Sequence, residues 1–451
     1  MYKKEFDIAD FGAVGDGQHD NSNAVSRACK AAQESKGALI RIRKGLWRTG
    51  PLELFSNTTL HLDTDAVLSF IPEPERYAPV YTRWEGVSCY ALHPLIFVNG
   101  QTGVTISGTG CIDGSGEVWW NLQRSKKAKG QNVPETEQEL ALAVLNGGYD
   151  AQPGGGGGRN MQFLRPPLLQ FHNCSDICLE GVSIRNAPFW TVHPLFSQRV
   201  VIRGITITNP QDAPNTDGID IDSCTDVLIE QCRLSVGDDG IALKSGSGED
   251  GIRLNRPVQR VSIRHCTVEN AHGGVVIGSE TAGGIFDVTV EDCVFNGTDR
   301  GIRIKTRRGR GGDIRNLRFH KVSMENNLCP LAVNMFYRCG ASLEDGFFSL
   351  EAQPVTKLTP TIKKLYFENI HATGSRASAG FIAGLPEAPI EELVIQNSSF
   401  ATNEDAPDSP ADSDMFLGIP PVAEKSFRLL NVKDPVFSQV TVAGPTRAFL
   451  Y

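Results

Sequence analysis

Short segments of alternating apolar and polar residues recur along this chain. Their first apolar anchors are spaced 23, 27, 34, 27 and 29 residues apart and fall at Ile177, Val200, Val227, Val261, Val288 and Leu317. An alternation with a period of two indicates β-strands with one buried face. A repeat of this length without a helix cannot bury that face alone, so it must stack on its neighbours.

This repeat predicts an all-β fold, a right-handed parallel β-helix. The alternative is a β-propeller, but its blades need about 40 or more residues. We expect residues 1–451 to form a single β-helix domain, with an N-terminal cap region at 1–50. The segment NSNAVSRACKAAQESKG has helical spacing and is expected to cover the open end of the stack.

A long insertion at residues 113–166 interrupts the repeats and is expected to lie over the cleft. Its stretch VPETEQELALAVLNGG predicts a short helix that starts after Pro134 and ends at Gly147 and Gly148. A segment this long within a compact repeat is usually functional. Its two tryptophans, Trp119 and Trp120, are candidates for sugar contacts, whereas Trp190 is expected in the core.

Composition narrows the class of protein. Hydrophobic residues make up 40% of the chain, which allows a large core, and the formal net charge is −8. A negative protein is a poor general partner for nucleic acid or anionic membranes. The N-terminus has no apolar signal-peptide region, which favours the cytoplasm unless a leader has been removed. The sequence leaves open whether the protein forms a homo-oligomer.

The 11 cysteines mostly lie in apolar, strand-like segments. Cys232, Cys266 and Cys293 occupy one repeat position, where other repeats have Val182, Ile205 or Val322. That exchange with aliphatic residues favours a stack of buried thiols over a ladder of metal ligands.

The second alternation of each repeat brings acidic residues into register. Aligning TDGIDID, DDGIALK, HGGVVIG and DRGIRIK places four residues at one position, namely Asp217, Asp239, Gly273 and Arg300. Neighbouring rungs of a parallel stack are about 4.8 Å apart. Carboxylates at that spacing repel one another, and such a site can keep one acid protonated while others stay ionised. Glycoside hydrolysis needs both forms. The alternative is a solvated polar ladder in which Asp222 pairs with Lys244.

Four motifs on successive repeats carry a family resemblance. They are NTD at 215–217, GDD at 237–239, AHGG at 271–274 and RIK at 303–305. In this order they resemble the polygalacturonase family of glycoside hydrolases, family 28. Ala271 departs from the glycine or serine that many members have before the histidine. The stretch VVIGSETAGG resembles exo-acting bacterial members and adds Glu280 as a pocket-side residue.

The resemblance implies a role for each matching residue. Asp238 corresponds to the general acid, Asp217 and Asp239 to the pair that activates water, and His272 to the histidine that orients the acid. Arg303 and Lys305 correspond to the cations that bind the substrate carboxylate. Asn215, Lys244 and Glu280 are further candidates for substrate contacts. No cofactor or metal is implied, and the mechanism is expected to be inverting.

The expected function is therefore hydrolysis of α-1,4-galacturonosyl bonds in polygalacturonate or its oligomers, with exo action. Three alternatives remain: a rhamnogalacturonan or xylogalacturonan hydrolase, a pectate lyase, and a non-catalytic β-helical carbohydrate-binding protein. The arginines after the RIK motif are expected either to extend the substrate-binding surface or to form a flexible basic loop; they are Arg307, Arg308 and Arg310.

Overall fold

The computed structural model describes residues 4–129, 134–147, 162–338, 346–413, 416 and 418–451. Backbone contacts divide the chain into two compact units. The first comprises Met1–Trp84, Ser88–Asp150 and Gly158–Asp238, and the second comprises Glu85–Val87, Ala151–Gly157 and Asp239–Tyr451. The single domain expected from the sequence stays a prediction, and each unit is described by itself.

The first unit contains a stack of short parallel strands and a separate two-stranded sheet. In chain order they are β1 (Glu5–Asp7), β2 (Asp16–Asp20), β3 (Leu39–Ile42), β4 (Gly45–Thr49), β5 (Leu52–Glu53), β6 (Thr59–Leu62), β7 (Ala66–Phe70), β8 (Pro79–Trp84), β9 (Val87–Leu92), β10 (Ile96–Asn99), β11 (Thr105–Gly108), β12 (Cys111–Asp113), β13 (Leu169–His172), β14 (Ser175–Glu180), β15 (Ser183–Arg185), β16 (Val192–Leu195), β17 (Gln198–Arg203), β18 (Thr206–Thr208), β19 (Ile219–Asp222), β20 (Thr225–Glu230) and β21 (Arg233–Ser235).

Three columns of parallel pairing run through this unit. One follows β1–β3–β6–β11–β14–β17–β20. A second follows β2–β4–β7–β12–β15–β18–β21. A third follows β5–β10–β13–β16–β19. Successive coils therefore add one strand to each of the first two columns, and five of them also add one to the third. Ile177 pairs with Val200 and Val200 with Val227, as the repeat predicts.

Helices cover parts of the first unit. Helix α1 (Ser22–Glu34) buries Val25, Ala28 and Cys29, and confirms the predicted helix of the cap region. The insertion holds α2 (Glu117–Lys129) and α3 (Glu137–Leu145). Helix α3 confirms the predicted helix, and a capping box between Thr136 and Glu139 fixes its start. The glycine-rich stretch at 154–158 lies outside the described residues.

The strands β8 and β9 form a two-stranded hairpin of their own. Two residues, Glu85 and Gly86, join them, with φ angles of 41° and 82°. Two successive positive φ angles are typical of the type I′ turn, whose twist suits a two-residue hairpin.

The second unit continues with parallel strands and one helix. They are β22 (Asp239–Lys244), α4 (Gly248–Leu254), β23 (Val258–Arg264), β24 (Thr267–Glu269), β25 (Gly273–Gly278), β26 (Ile285–Asn296), β27 (Arg300–Lys305), β28 (Asp313–Glu325), β29 (Cys329–Asn334), β30 (Thr361–Ser375), β31 (Gly380–Ala383), β32 (Glu391–Thr402), β33 (Phe427–Leu430), β34 (Val436–Ala443) and β35 (Phe449–Leu450).

Two columns organise this unit. One follows β22–β25–β27–β29–β31–β33–β35. The other follows β26–β28–β30–β32–β34, with β23 and β24 both pairing with the long strand β26. Val261 pairs with Val288 and Val288 with Leu317, again as the repeat predicts. Among the helices of the described residues, none has the length and apolar character that crossing a membrane requires.

Candidate active site

The first unit fixes Asp217 at the entry to strand β19. Its backbone oxygen accepts a hydrogen bond from Thr191 N at 2.9 Å, and the oxygen of Gly218 accepts one from Val192 N at 3.0 Å. The side chain of Asp217 is buried. The preceding coil thus sets the position of this carboxylate through its backbone.

Asp238, the last residue of the first unit, brings a second carboxylate close to Asp217. One side-chain oxygen of each lies within 4.8 Å of the other, and Asp238 is partly exposed. Oxygens at this spacing could bracket a water molecule or hold a cation. The expectation of a metal-free site stays a prediction.

Asn215 lies two residues before Asp217 in a left-handed conformation, with φ 54°. Its side-chain oxygen accepts a hydrogen bond from Arg165 Nη2 at 2.8 Å. Because the oxygen is bound in this way, the amide NH2 is the group that Asn215 has to offer to other acceptors.

The hairpin β8–β9 contacts strands on both sides of Asp217 in the chain. Thr82 Oγ1 donates to Gln170 on β13 at 2.8 Å, and Arg83 Nη1 donates to Asp222 on β19 at 2.7 Å. The ring of Trp84 stacks on Phe189 with centroids 4.9 Å apart. Polar residues on this face of β13, β16 and β19 are consequently fully buried, among them Gln170, His193, Asp220 and Asp222.

In the second unit, Asp239 on β22 is bound by two cations from β27. Lys305 Nζ donates to its Oδ2 at 2.6 Å, and Arg303 Nη1 donates to its Oδ1 at 3.1 Å. Burial alone would raise the pKa of Asp239, but Lys305, Arg303 and Lys244 outweigh it and hold the pKa well below its usual value. Asp239 is therefore an ionised carboxylate at neutral pH.

The register of β22, β25 and β27 explains how these side chains meet. Asp239 pairs with Gly273 and Gly273 with Arg300, which confirms this part of the predicted column. Gly278 pairs with Lys305 and adds no side chain beside the lysine. A glycine on the middle strand adds no side chain between the rungs, so cations of β27 can reach the carboxylate of β22.

Tyr337 completes the surroundings of the two cations. Its ring centroid lies 5.5 Å from Arg303 Cζ and 5.3 Å from Lys305 Nζ. Burial and Arg303 act to lower the pKa of Lys305, but Asp239 and Tyr337 raise it, and the net pKa lies above the usual value. Nothing in the motif pattern pointed to Tyr337, because it lies on no repeat position shared with the acids.

Lys244 and Glu280 form a buried cluster with Arg310. Glu280 accepts from Lys244 Nζ and from Arg310 Nη1, both at 3.3 Å. Burial would raise the pKa of Glu280, but Lys244, Arg310 and Lys305 lower it to about 2. Glu280 thus binds protein cations here, and its predicted contact with substrate stays a prediction.

His272 is exposed at the turn before β25. The backbone holds this turn, because Asp299 N donates to Ala271 O at 2.9 Å and Arg300 N to His272 O at 3.2 Å. The role of His272 in orienting the acid stays a prediction.

The sequence-based expectation of sugar contacts at two tryptophans is wrong. Trp119 and Trp120 are buried in the packed side of α2, and Trp120 Nε1 donates to Ala187 O at 2.9 Å, so they are core residues. The arginines after the RIK motif are buried, as Arg303 and Lys305 are, and their part in substrate binding stays a prediction. Arg308, for example, makes a bidentate ion pair with Glu387 at 2.6 and 2.8 Å. Trp190 is buried, as predicted.

Comparison with known proteins assigns this arrangement to a family. The family model described as glycosyl hydrolases family 28 matches residues 151–406. A protein of Vitis vinifera named probable polygalacturonase is 33% identical over 86% of this chain and 73% of its own length. An endo-polygalacturonase of Pectobacterium carotovorum subsp. carotovorum is 28% identical over 78% of this chain and 81% of its own length.

A solved structure supports the same assignment. The chain is similar to a hyperthermoactive exopolygalacturonase of Thermotoga maritima, with 30% identity and a TM-score of 0.77 over 97% of this chain and 92% of that chain. This likeness confirms the predicted right-handed parallel β-helix. On the strength of the family model and of these relatives, the chain belongs to glycosyl hydrolase family 28.

Proposed function

We propose that this protein is an exo-acting polygalacturonase that hydrolyses α-1,4-galacturonosyl bonds at the end of pectic chains. Family membership and the names of its relatives support the substrate class. Those names include both exo- and endo-acting enzymes, so they do not decide where along the chain the enzyme cuts. The observation that carries the exo assignment is the hairpin β8–β9, which contacts β13 and β19, the strand that Asp217 leads into.

The two cations on β27 fit an anionic sugar. Each galacturonate unit carries one carboxylate, and an arginine together with a lysine can fix it by charge-assisted hydrogen bonds. Lys305 and Arg303 both donate to Asp239, so the two cations are held side by side at one carboxylate. A neutral galactose unit would leave these buried charges less well satisfied, so binding would favour the uronate.

The environments of the acids suggest different roles. Asp239, held ionised by Lys305 and Arg303, suits activation of the attacking water and is poorly suited to donating a proton. Asp238 is the more exposed of the two and follows the family pattern for the general acid that protonates the leaving oxygen. Asp217 lies close to Asp238 and follows the family pattern for a carboxylate that activates water.

The hairpin accounts for terminal cleavage. An endo-acting enzyme needs an open groove in which a polymer can extend to both sides of the cleaved bond. Here Thr82 binds Gln170 on β13, Arg83 binds Asp222 on β19, and Trp84 stacks on Phe189 just before β16. The side chains of Gln170 and Asp222 are fully buried. A polymer cannot extend along these strands unless the hairpin leaves. The insertion, which the sequence predicts to lie over the cleft, supports the hairpin through α3. Asn146, the residue that follows α3, makes two hydrogen bonds with the backbone of Tyr90, both at 2.8 Å.

A time course on long polygalacturonate tests the proposal. Exo action predicts monomer or dimer as the first product, with viscosity falling slowly for each bond cleaved. Early intermediate oligomers with a rapid loss of viscosity would instead show endo action. An unsaturated product that absorbs ultraviolet light would show a lyase. Cleavage of rhamnogalacturonan or xylogalacturonan in preference to polygalacturonate would reassign the substrate, and the absence of new reducing ends on all of them would leave only a binding protein.

A further inference from the structure

Arg165 is a buried cation at the end of the long insertion, and no motif of the family resemblance includes it. Its side chain is almost completely inaccessible to solvent, with 1% exposed. A buried guanidinium is costly unless its N–H groups are bonded. The groups that accept hydrogen bonds from Arg165 therefore identify the segments that this side chain fixes in place.

Those partners are loops that lead into the strands of the site. Arg165 Nη1 donates to Pro188 O and to Pro214 O, both at 2.8 Å. Arg165 Nη2 donates to Asn215 Oδ1, also at 2.8 Å. One planar fork thus bridges the loop before β16 and the loop before β19. The rigid geometry of a guanidinium makes such a bridge specific, and a lysine could not reproduce it.

The loop held by Arg165 carries Asp217. Asn215 is in the left-handed region, which is an unfavourable conformation that the surroundings must maintain. Thr216 Oγ1 donates to Ala213 O at 3.0 Å, and Asn209 Nδ2 donates to Thr216 O at 3.3 Å. These two bonds hold the backbone of the loop, but only Arg165 is bonded to the side chain of Asn215 among the contacts described for that residue.

Arg165 is itself fixed by the hairpin. Trp84 Nε1 donates to the backbone oxygen of Arg165 at 3.1 Å. The guanidinium carbon lies 5.2 Å from the centroid of Phe189, the ring on which Trp84 stacks. A cation near an aromatic face is stabilised by the negative potential over the ring. The hairpin that closes the sheet face and the loop that carries Asp217 therefore share one arginine.

We infer that Arg165 is a positioning residue for the reaction: it sets the amide orientation of Asn215 and the approach of Asp217. This inference rests on the proposed function, because positioning matters only if Asp217 and Asn215 act on substrate. Displacement of a catalytic group by about 1 Å can cost about 10²-fold in rate. Loss of the fork should thus affect turnover more than binding.

The experiment compares Arg165→Lys and Arg165→Ala with the wild type. We expect kcat on oligogalacturonides to fall by about 10²-fold in both variants, with KM close to the wild-type value. Millimolar guanidinium should restore part of kcat in Arg165→Ala, because the free ion can occupy the vacated fork. If Arg165→Ala does not fold, Arg165→Lys carries the test alone. Wild-type kcat in folded Arg165→Lys would overturn the inference.

Lys126→Met is the matched control. Lys126 is another buried cation of the insertion, bonded to Glu135 at 3.0 Å and paired with Glu139 at 2.6 Å, and both of these partners belong to the insertion itself. It should lower thermal stability without changing kcat, and guanidinium should have no effect. If Lys126→Met lowers kcat as far as Arg165→Lys does, a general loss of stability explains both, and the inference fails.

Amide hydrogen exchange separates this inference from the proposed function. Exchange at residues 211–217 should become faster in the Arg165 variants and stay unchanged in Lys126→Met. This readout needs no substrate. Wild-type protein that cleaves no galacturonide would defeat the proposed function, whereas unchanged exchange in this loop would defeat the positioning role.

Discussion

Lys305 Nζ lies 2.6 Å from Asp239 Oδ2, and both side chains are buried. This pair keeps Asp239 ionised and thereby distinguishes it from Asp238, its neighbour in the chain. A carboxylate held by two cations accepts a proton only at very low pH and cannot serve as the proton donor near neutrality. The proton donor must then be sought among the other acids.

Replacing Asp238 by asparagine should abolish most turnover, because it removes the donor and retains the shape. General acid catalysis is commonly worth about 10²–10⁴-fold, so kcat should fall by at least that range while oligogalacturonide still binds. Initial rates and binding calorimetry measure the two effects separately. A galacturonide with a nitrophenol leaving group needs less protonation and should lose less rate. Near-normal turnover of natural substrate would remove Asp238 from the role of acid.

Replacing either cation on β27 should weaken discrimination for the uronate. Loss of a hydrogen bond to a charged group usually costs about 1.5–3 kcal/mol, so Lys305→Ala and Arg303→Ala should each reduce kcat/KM on galacturonate oligomers accordingly. Rates on neutral galactose oligomers give the comparison. A variant that still prefers the uronate as strongly as wild type would show that its residue does not bind the carboxylate.

Lys425→Ala is the control for these variants. Lys425 is also buried, but it donates to the backbone oxygens of Asn403 and Ala406 at 2.9 and 2.7 Å. Its loss should reduce stability without changing substrate preference.

The stereochemistry of hydrolysis provides a third test. The inverting mechanism comes from the family resemblance, whereas one oxygen of Asp217 lies within 4.8 Å of one of Asp238. That spacing is shorter than the separation of about 6.5–9.5 Å usual for inverting enzymes. We nevertheless expect inversion, because Asp239 is held ionised beside its cations and suits a base for water. Proton NMR of the first-formed product should show the inverted anomer. Retention would make one acid a nucleophile and overturn the water-activating roles.

The sequence predicted most of the coil register, and the reason is physical. Apolar and polar side chains must alternate along a strand with one buried face, so the sequence alone aligns Ile177, Val200 and Val227. The same alignment placed Asp239 beside Gly273. These relations are local to the repeat, and each repeat supplies an independent copy of the signal.

Contacts between residues far apart in sequence could not be predicted in this way. Arg308 appeared to be a surface cation, because its partner Glu387 lies 79 residues later and outside the repeat position. Trp119 is buried by the fold of the insertion, which has no repeat to reveal its inward face. The hairpin left a usable signal: two alternating stretches separated by Glu85 and Gly86, a pair suited to a two-residue turn.

The depressed pKa of Glu280 makes a prediction about acid stability. Its folded pKa is about 2 against a usual value of 4.5. A carboxyl whose pKa is lowered by folding contributes stability above its unfolded pKa and loses it as the pH falls towards the folded pKa. Between about pH 4.5 and 2, the wild-type free energy of unfolding should therefore fall more steeply than that of Glu280→Gln. Urea denaturation at several pH values measures both slopes, with Glu137→Gln on the exposed side of α3 as control. Parallel profiles for wild type and Glu280→Gln would contradict the assignment.

Releasing the hairpin should change where the enzyme cuts. Arg83 and Asp222 form an ion pair at 2.7 Å with both side chains fully buried, so Arg83→Met leaves a buried carboxylate without this partner. Breaking such a pair typically costs about 3–5 kcal/mol, and detachment of the hairpin would relieve that cost by admitting water. The uncovered strands could then accept more of the polymer, so intermediate oligomers should appear early in the digest of polygalacturonate. Adding Asp222→Asn to Arg83→Met removes the uncompensated charge and should restore the wild-type pattern in part.

Tyr81→Ala is the control, because Tyr81 lies on the same strand with its ring largely exposed. Anion-exchange chromatography of the products, alongside thermal melting, reports both effects. If Arg83→Met is folded and less stable but still releases only monomer or dimer, the hairpin is not the element that limits this enzyme to chain ends.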